Sequence, residues 1–389
     1  MAPKELGRAG RIVSSPKQEA VLILDGNAVQ VILRTHFRQG PEELAWVVPV
    51  PSRPTNIKPA EDSLFTLLEE GTAPRFYSSA VSGESGIGCG CDNMRLQEGG
   101  SWAHAVHVEE VGTAGMFDYT VLSSTDANEL GRWLRENGYA IPAGADAAFE
   151  SYVKKGWHWL AMRIRAESRK EGDMAPHPIS YTYRADRLVY PMTISRLSAD
   201  EENEIVLYVA ADERYASTNW SNAVAKELEI RPDVNAAGGT NYGFVVRVES
   251  MRNSGRLFVT EYAEAIVTVP GLTEPNGAPR TLLGPAVRRD TGTGRLLTRL
   301  RAVVPRGAMD RDVFLAPYME GHWITPAGGP GVGNNIFLRR DPPSAARLAA
   351  PAAPLALAGL GFGLRRRQRW GRRLAPAMLI PACLIFAML

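Results

Sequence analysis

The sequence predicts an α+β fold: a strand-rich body with about three short helices in its first half, a mainly β second half, and one or more C-terminal membrane segments. Three observations carry this reading. Runs of β-forming residues such as "VLILDGNAVQVIL" and "ELAWVVPVP" are closed by Gly, Pro, Asn and Asp. Three other stretches place apolar residues at helical spacing between start and stop signals. The chain then ends in two uncharged runs around an arginine cluster.

In order, "VLILDGNAVQVIL" is a hairpin turning at Asp25-Gly26-Asn27, where Gly and Asn supply positive φ. Leu44 to Val50 is a buried strand that leaves through Pro49, Pro51 and Pro54. "AEDSLFTLLEEGTAPRFY" is a helix capped by Asp62 or Ser63, with Leu64, Phe65, Leu67 and Leu68 toward the core and Gly71 as its stop. A Ser/Gly-rich loop runs from Ser78 to Gly100, and "AHAVHVEEVGTAGMFDYTVLSS" reads as two strands. "STDANELGRWLRENGYAIP" is a helix with a cap at Ser124, Thr125 or Asp126, a stripe of Leu130, Trp133 and Leu134, and Gly138 as its left-handed stop. "DAAFESYVKKG" is a third helix, and "WHWLAMRIRA" a strand with His158, Leu160, Met162 and Ile164 on one side.

After Ala175 strand signals dominate, including "PISYTY", "LVYPMTIS", "EIVLYVAA", "YGFVVRVES", "GRLFVTEYAEAIVTV", "GRLLTRLRAVV" and "DVFLAP". No internal repeat recurs at a fixed period. This organisation divides the chain into an N-terminal segment 1–17 that is disordered or mis-started, an α+β subdomain 18–175, a mainly β subdomain 176–340, a linker 341–347 and a tail 348–389.

Charge narrows the function. Seven of the 44 basic residues lie after residue 346 and none of the 42 acidic ones, which leaves the body with 37 basic against 42 acidic side chains. Nucleic-acid binding needs a basic face to displace counterions, so an acidic body excludes it. Three cysteines make no disulfide framework. "MAPKELGRAGRIVSSPKQEAVLIL" lacks the apolar run of a secretory signal.

The tail points to a lipid bilayer as partner. Leu348 to Leu364 and Leu374 to Leu389 are uncharged runs of 17 and 16 residues, each just short of the roughly 20 that span a bilayer. Arg365, Arg366, Arg367, Arg369, Arg372 and Arg373 lie between them, and the positive-inside rule puts those arginines in the cytoplasm and the body outside. A hairpin of two spans and a single span or sticky tail are both compatible with this composition. An external body conflicts with the missing signal, which is reconciled if the true start lies upstream. The competing reading is a cytoplasmic body whose tail rests on anionic lipid.

Chemistry is less legible. Cys89, Cys91, His104 and His107 could close a tetrahedral Zn²⁺ or copper site. Against this, His104 and His107 at i, i+3 on a strand face opposite ways, and Cys-x-Cys is not the common zinc-knuckle spacing. The two cysteines could instead serve disulfide or redox chemistry, or sit in an idle loop. Ser85 in "GESGIG" fails the nucleophile-elbow pattern because Ile87 stands where Gly is needed. "GGPGVGNN" lacks the Lys-Ser/Thr of a phosphate loop, and the Glu pairs at 42, 69, 109 and 201 single out no glycosidase couple.

The segments "GNAVQVILRTHFRQGPEELAWVVPVPSRPTNI", "LFTLLEEGTAPRFY", "GCGC", "YTVLSSTDANELGRWLRENGYAIP" and "HPISYTYRADRLVYPMTIS" resemble, in order over about Gln18 to Ala210, the landmarks of the bacterial family called domain of unknown function 2330. "AWVVPVP" and "LRENGYAIP" are the most specific. The resemblance implies export to the cell envelope and brings no catalytic residues to carry over. Members usually begin with a signal peptide and a Cys-containing segment, whereas no Cys precedes Cys89 here. The expected function is therefore a noncatalytic, membrane-anchored envelope protein for binding or surface structure. A thiol- or metal-dependent enzyme at the Cys89/Cys91 loop is the alternative.

Overall fold

The computed structural model describes residues 15–36, 45–77, 105–142, 144–165, 176–236, 238–266, 269, 272, 295–318 and 332–338. All described residues belong to the unit Met1–Arg339. No helix among them is long and apolar enough to cross a membrane. The predicted spans 348–364 and 374–389 lie outside the described residues.

This unit opens with strands β1 (Ser15–Asp25), β2 (Ala28–His36), β3 (Ala45–Val50) and β4 (Thr55–Pro59), then helix α1 (Ser63–Thr72) and β5 (Arg75–Tyr77). Strands β6 (Val106–Ala114) and β7 (Phe117–Ser124) precede α2 (Ala127–Glu136), α3 (Ala145–Val153) and β8 (His158–Ile164). The second half adds β9 (Ile179–Arg184), β10 (Leu188–Tyr190), α4 (Met192–Ser195), β11 (Ala199–Ala211), β12 (Tyr215–Ser217) and β13 (Ser221–Val224). It closes with α5 (Tyr242–Arg252), β14 (Leu257–Ala265), β15 (Leu296–Pro305), β16 (Val313–Pro317) and β17 (Asn335–Phe337). The α+β class and the strand-rich body hold, as do the three short helices of the first half.

An eight-stranded mixed sheet in the order β13-β14-β15-β11-β1-β2-β9-β4 forms the centre. It takes strands from both sides of residue 175, where the sequence placed a boundary between subdomains, because β2 pairs with β9 and β1 runs parallel to β11. β1 and β11 are apolar at consecutive positions because both faces are covered. Ala20, Leu22, Leu207 and Val209 enter a core shared with the four-stranded sheet β3-β8-β7-β6. Val21, Ile23, Val206 and Ala210 face α1 through Leu64, Phe65 and Leu68. On the outer side of the four-stranded sheet, Trp159 and Leu122 pack with Leu130, Leu134, Phe149 and Tyr152 of α2 and α3. The layers are thus α1, large sheet, small sheet, then α2 with α3.

Local signals explain most of the boundaries. Asp126 caps α2 by accepting from the backbone N–H groups of Asn128 and Glu129, and Gly138 stops it at φ 81°. Gly26 turns the β1–β2 hairpin at φ 58°, while Asn27, expected to share that conformation, does not. Gly115 turns β6 into β7 at φ 61°, and an added Cβ there would meet His177 Nε2 at 2.2 Å.

Three local expectations are corrected. Gly71 lies inside α1, which runs on to Thr72, and Asp62 precedes that helix without a side-chain cap bond. "LVYPMTIS" is β10 followed by the single turn α4. "YGFVVRVES" is helix α5. Its alternation of Phe244, Val246 and Val248 mimics a strand because the helix is apolar on two faces, with Tyr242, Val246 and Ser250 buried and Phe244 exposed. Helices α4 and α5 therefore interrupt the mainly β second half.

Candidate functional site

Of the four predicted thiol and imidazole ligands, only His107 lies within the described residues, and Cys89, Cys91, His104 and the tail arginines Arg365 to Arg373 fall outside them. His107 is exposed on the edge strand β6. It pairs across Ser123 with His158, so both imidazoles stand on one face of the four-stranded sheet. A register shift between Val108 and Glu110 inserts Glu109 as a bulge. Its carboxylate meets His158 Nε2 at 3.2 Å and Arg53 at 3.4 Å. No group of three metal-capable side chains occurs among the described residues. Within "GGPGVGNN", Asn334 donates to the carbonyls of Gly71 and Ala73 and fastens the end of α1.

The strongest charges are internal. Glu19 on β1 is buried beside Lys17 at 3.2 Å, Arg34 at 2.6 Å and His36 at 2.7 Å. Burial alone would raise its pKa, but the His36 hydrogen bond and the charges of Lys17 and Arg34 prevail and lower it to about 2. A second bulge, between Thr260 and Tyr262, inserts Glu261. That carboxylate lies 2.6 Å from the buried Arg299 and accepts from the Tyr242 hydroxyl at 2.5 Å. Asp312 accepts from Tyr152, Lys155 and the backbone N–H groups of Met192 and Thr193. Each of these carboxylates joins separate elements by charge-assisted bonds.

Two concavities stand out among the described residues. One, of about 40 Å³, lies in the core beneath Trp46 and the side chains of Tyr181, Tyr183 and Tyr190, with Gln18 and Ser195 at its edge. Gln18 accepts from both Tyr190 and Ser195. That volume suits about one water molecule. The other, of about 300 Å³, is a surface groove between the β1–β2 hairpin, the β9–β10 turn and the three-stranded sheet β10-β16-β12. Asp186, Arg187, Tyr215, Thr218, Phe314 and Leu24 contribute to its walls.

The groove walls are fixed from behind. Backbone bonds of β16 to β10 and β12 hold its floor, Asn219 Oδ1 accepts from the Phe314 N–H, and the Arg187 guanidinium sits 5.8 Å from the Phe314 ring centroid. Burial, then the nearby charges of Glu213 and Asp212, raises the Tyr215 pKa, so its phenol stays a neutral donor at physiological pH. Sequence reasoning passed over all of these residues. Asp186 and Arg187 fall between two strand signals and Phe314 within another, and the groove forms only when segments more than 100 residues apart come together.

Comparison with known proteins adds the family and little else. No curated protein matches the chain. Among solved structures, baculovirus P35 is similar with a TM-score of 0.37 and 10% identity, over 79% of this chain and 98% of that one. A mutated baculovirus P35 after caspase cleavage gives a TM-score of 0.32 and 9% identity, over 51% of this chain and 66% of that one. The family described as an uncharacterized protein conserved in bacteria, DUF2330, matches residues 6–272. With well over half its length inside that match, the chain belongs to the DUF2330 family.

Proposed function

We propose that the protein is a noncatalytic binding module of the bacterial cell envelope, held at the membrane by its C-terminal tail, with the 300 Å³ groove as its ligand seat. The groove carries the reading. Its volume falls at the lower end of the range for small-molecule seats, which begins near 300 Å³, whereas the tyrosine-lined cavity, at about 40 Å³, lies far below that range.

Its chemistry favours a neutral ligand. Asp186 and Arg187 bring opposite charges, Tyr215 brings a protonated phenol, and Phe314 with Leu24 brings apolar surface. A hydroxyl-rich molecule with one apolar face, of the size of one or two sugar units, meets all of these groups. The engagement of Glu19, Glu261 and Asp312 with internal partners supports a structural use of the strongest charges. The arginine cluster between two uncharged runs supports the tether.

The test is calorimetric titration of the full chain in detergent with an N-acetylglucosamine disaccharide. Saturable heat is expected, weakened at least about tenfold by Arg187→Ala and by Tyr215→Ala, in line with the loss of one or two well-placed contacts. Absence of saturable heat with a folded protein, or affinity indifferent to both substitutions, would count against the groove.

A further inference from the structure

Helix α5 buries Tyr242, Val246 and Ser250 against β14 and β15, and Ser250 Oγ donates to the Val303 carbonyl at 2.6 Å. Its opposite face is also apolar. Phe244 is 65% exposed and Met251 67%, with the half-buried Val248 between them. Spacings of four and then three residues align the three side chains in one stripe.

The polar side chains of the helix are already neutralised. Arg247 holds Glu202 through bonds of 2.6 to 3.0 Å, and Arg252 holds Glu249 at 2.6 Å. Such a surface carries little unpaired charge into an apolar environment.

The packing of α5 beside Leu338, shortly before the tail, indicates what covers it. Leu338 packs against the cluster that contains Tyr242 and Val246. Ten residues later, at Leu348, the first uncharged run begins. Ten extended residues span at most roughly 35 Å.

We infer that the outer stripe of α5, Phe244, Val248 and Met251, rests in the headgroup-to-acyl boundary of a phospholipid bilayer. This rests on the membrane tether proposed above. An apolar helix face with an aromatic and a methionine, held on a short leash, is the surface that lies in a membrane interface without crossing it. The tether supplies proximity, and the stripe sets which side of the body faces the lipid.

The test uses the full chain with its three cysteines replaced by Ser, carrying an environment-sensitive dye at Met251→Cys or, separately, at Phe244→Cys. A third protein carries the dye at Lys58→Cys on the exposed edge strand β4, at the opposite end of the eight-stranded sheet from β13 and β14. Each is reconstituted into phosphatidylcholine/phosphatidylglycerol vesicles and read by flotation and by quenching from lipid-attached nitroxide. Flotation with quenching at 251 and 244 at least threefold stronger than at 58 is the expected result. Flotation with equal quenching at the three sites overturns the α5 contact and leaves the tether standing. Energy transfer between dyes at 251 without lipid quenching assigns the stripe to a second copy and also overturns it. Failure to float removes the tether and the inference together.

Discussion

The Tyr152 hydroxyl donates to Asp312 Oδ1 at 2.5 Å across 160 residues of sequence, and the same oxygen accepts the backbone N–H groups of Met192 and Thr193. One carboxylate thereby fastens α3 and the α4 turn to the start of β16. Its removal strands a buried phenol and two amides at once. Asp312→Ala is expected to cost roughly 3 kcal/mol or more in denaturant unfolding, and Tyr152→Phe clearly less, because Phe leaves the carboxylate its amide donors. Equal costs for the two would remove Asp312 from the centre of this junction.

Glu19 sets an acid limit on stability. Its folded pKa is lowered from 4.5 to about 2, so its contribution is complete above about 4.5 and is lost as pH falls from there toward 2. The shift corresponds to roughly 3 kcal/mol. Urea unfolding between pH 7 and pH 2 should show a steep loss below about 4.5, and Glu19→Gln should flatten that segment while lowering stability at neutral pH. An unchanged acid slope in the variant would assign the loss to other carboxylates.

Glu261 and Arg299 form a buried pair, 1% and 3% exposed at their side chains. Arg299→Met leaves the carboxylate with the Tyr242 hydroxyl and the more distant Arg301 at 3.8 Å, and should cost about 3 kcal/mol. Adding Glu261→Gln should recover part of that loss, since the second change removes the stranded charge. Additive costs in the double variant would mean that the two groups do not depend on one another.

Gly115 is required by both conformation and space. At φ 61°, with His177 Nε2 2.2 Å from where a Cβ would stand, Gly115→Ala should destabilise by more than the roughly 1 kcal/mol of an ordinary glycine replacement. It should also weaken the bond from the Met116 N–H to His177 Nε2, now 2.9 Å. Thermal unfolding measures the first effect, and the His177 imidazole resonance reports the second.

How much of this was legible depended on sequence distance. The α2 helix was readable because Asp126, the Leu130 and Leu134 stripe and Gly138 all lie within one short segment. Helix α5 was not, since its two apolar faces present the alternation of a strand. The bulges that place Glu109 and Glu261 leave no composition signal, because a register shift appears only when the partner strand is present. The parallel pairing of β1 with β11 and the groove around Arg187 likewise depend on contacts between remote segments. The proposed thiol and imidazole site was legible as residue types, yet of its members only His107 lies among the described residues.

The proposed placement of the binding body outside the cytoplasm, held there by the tail, is tested by protease treatment of intact spheroplasts expressing the gene from its native locus with a tag just before Asp341. Digestion of the body in intact spheroplasts is the predicted result, with the arginines from Arg365 to Arg373 protected until lysis. Protection of the whole body until lysis would place it in the cytoplasm and overturn that placement.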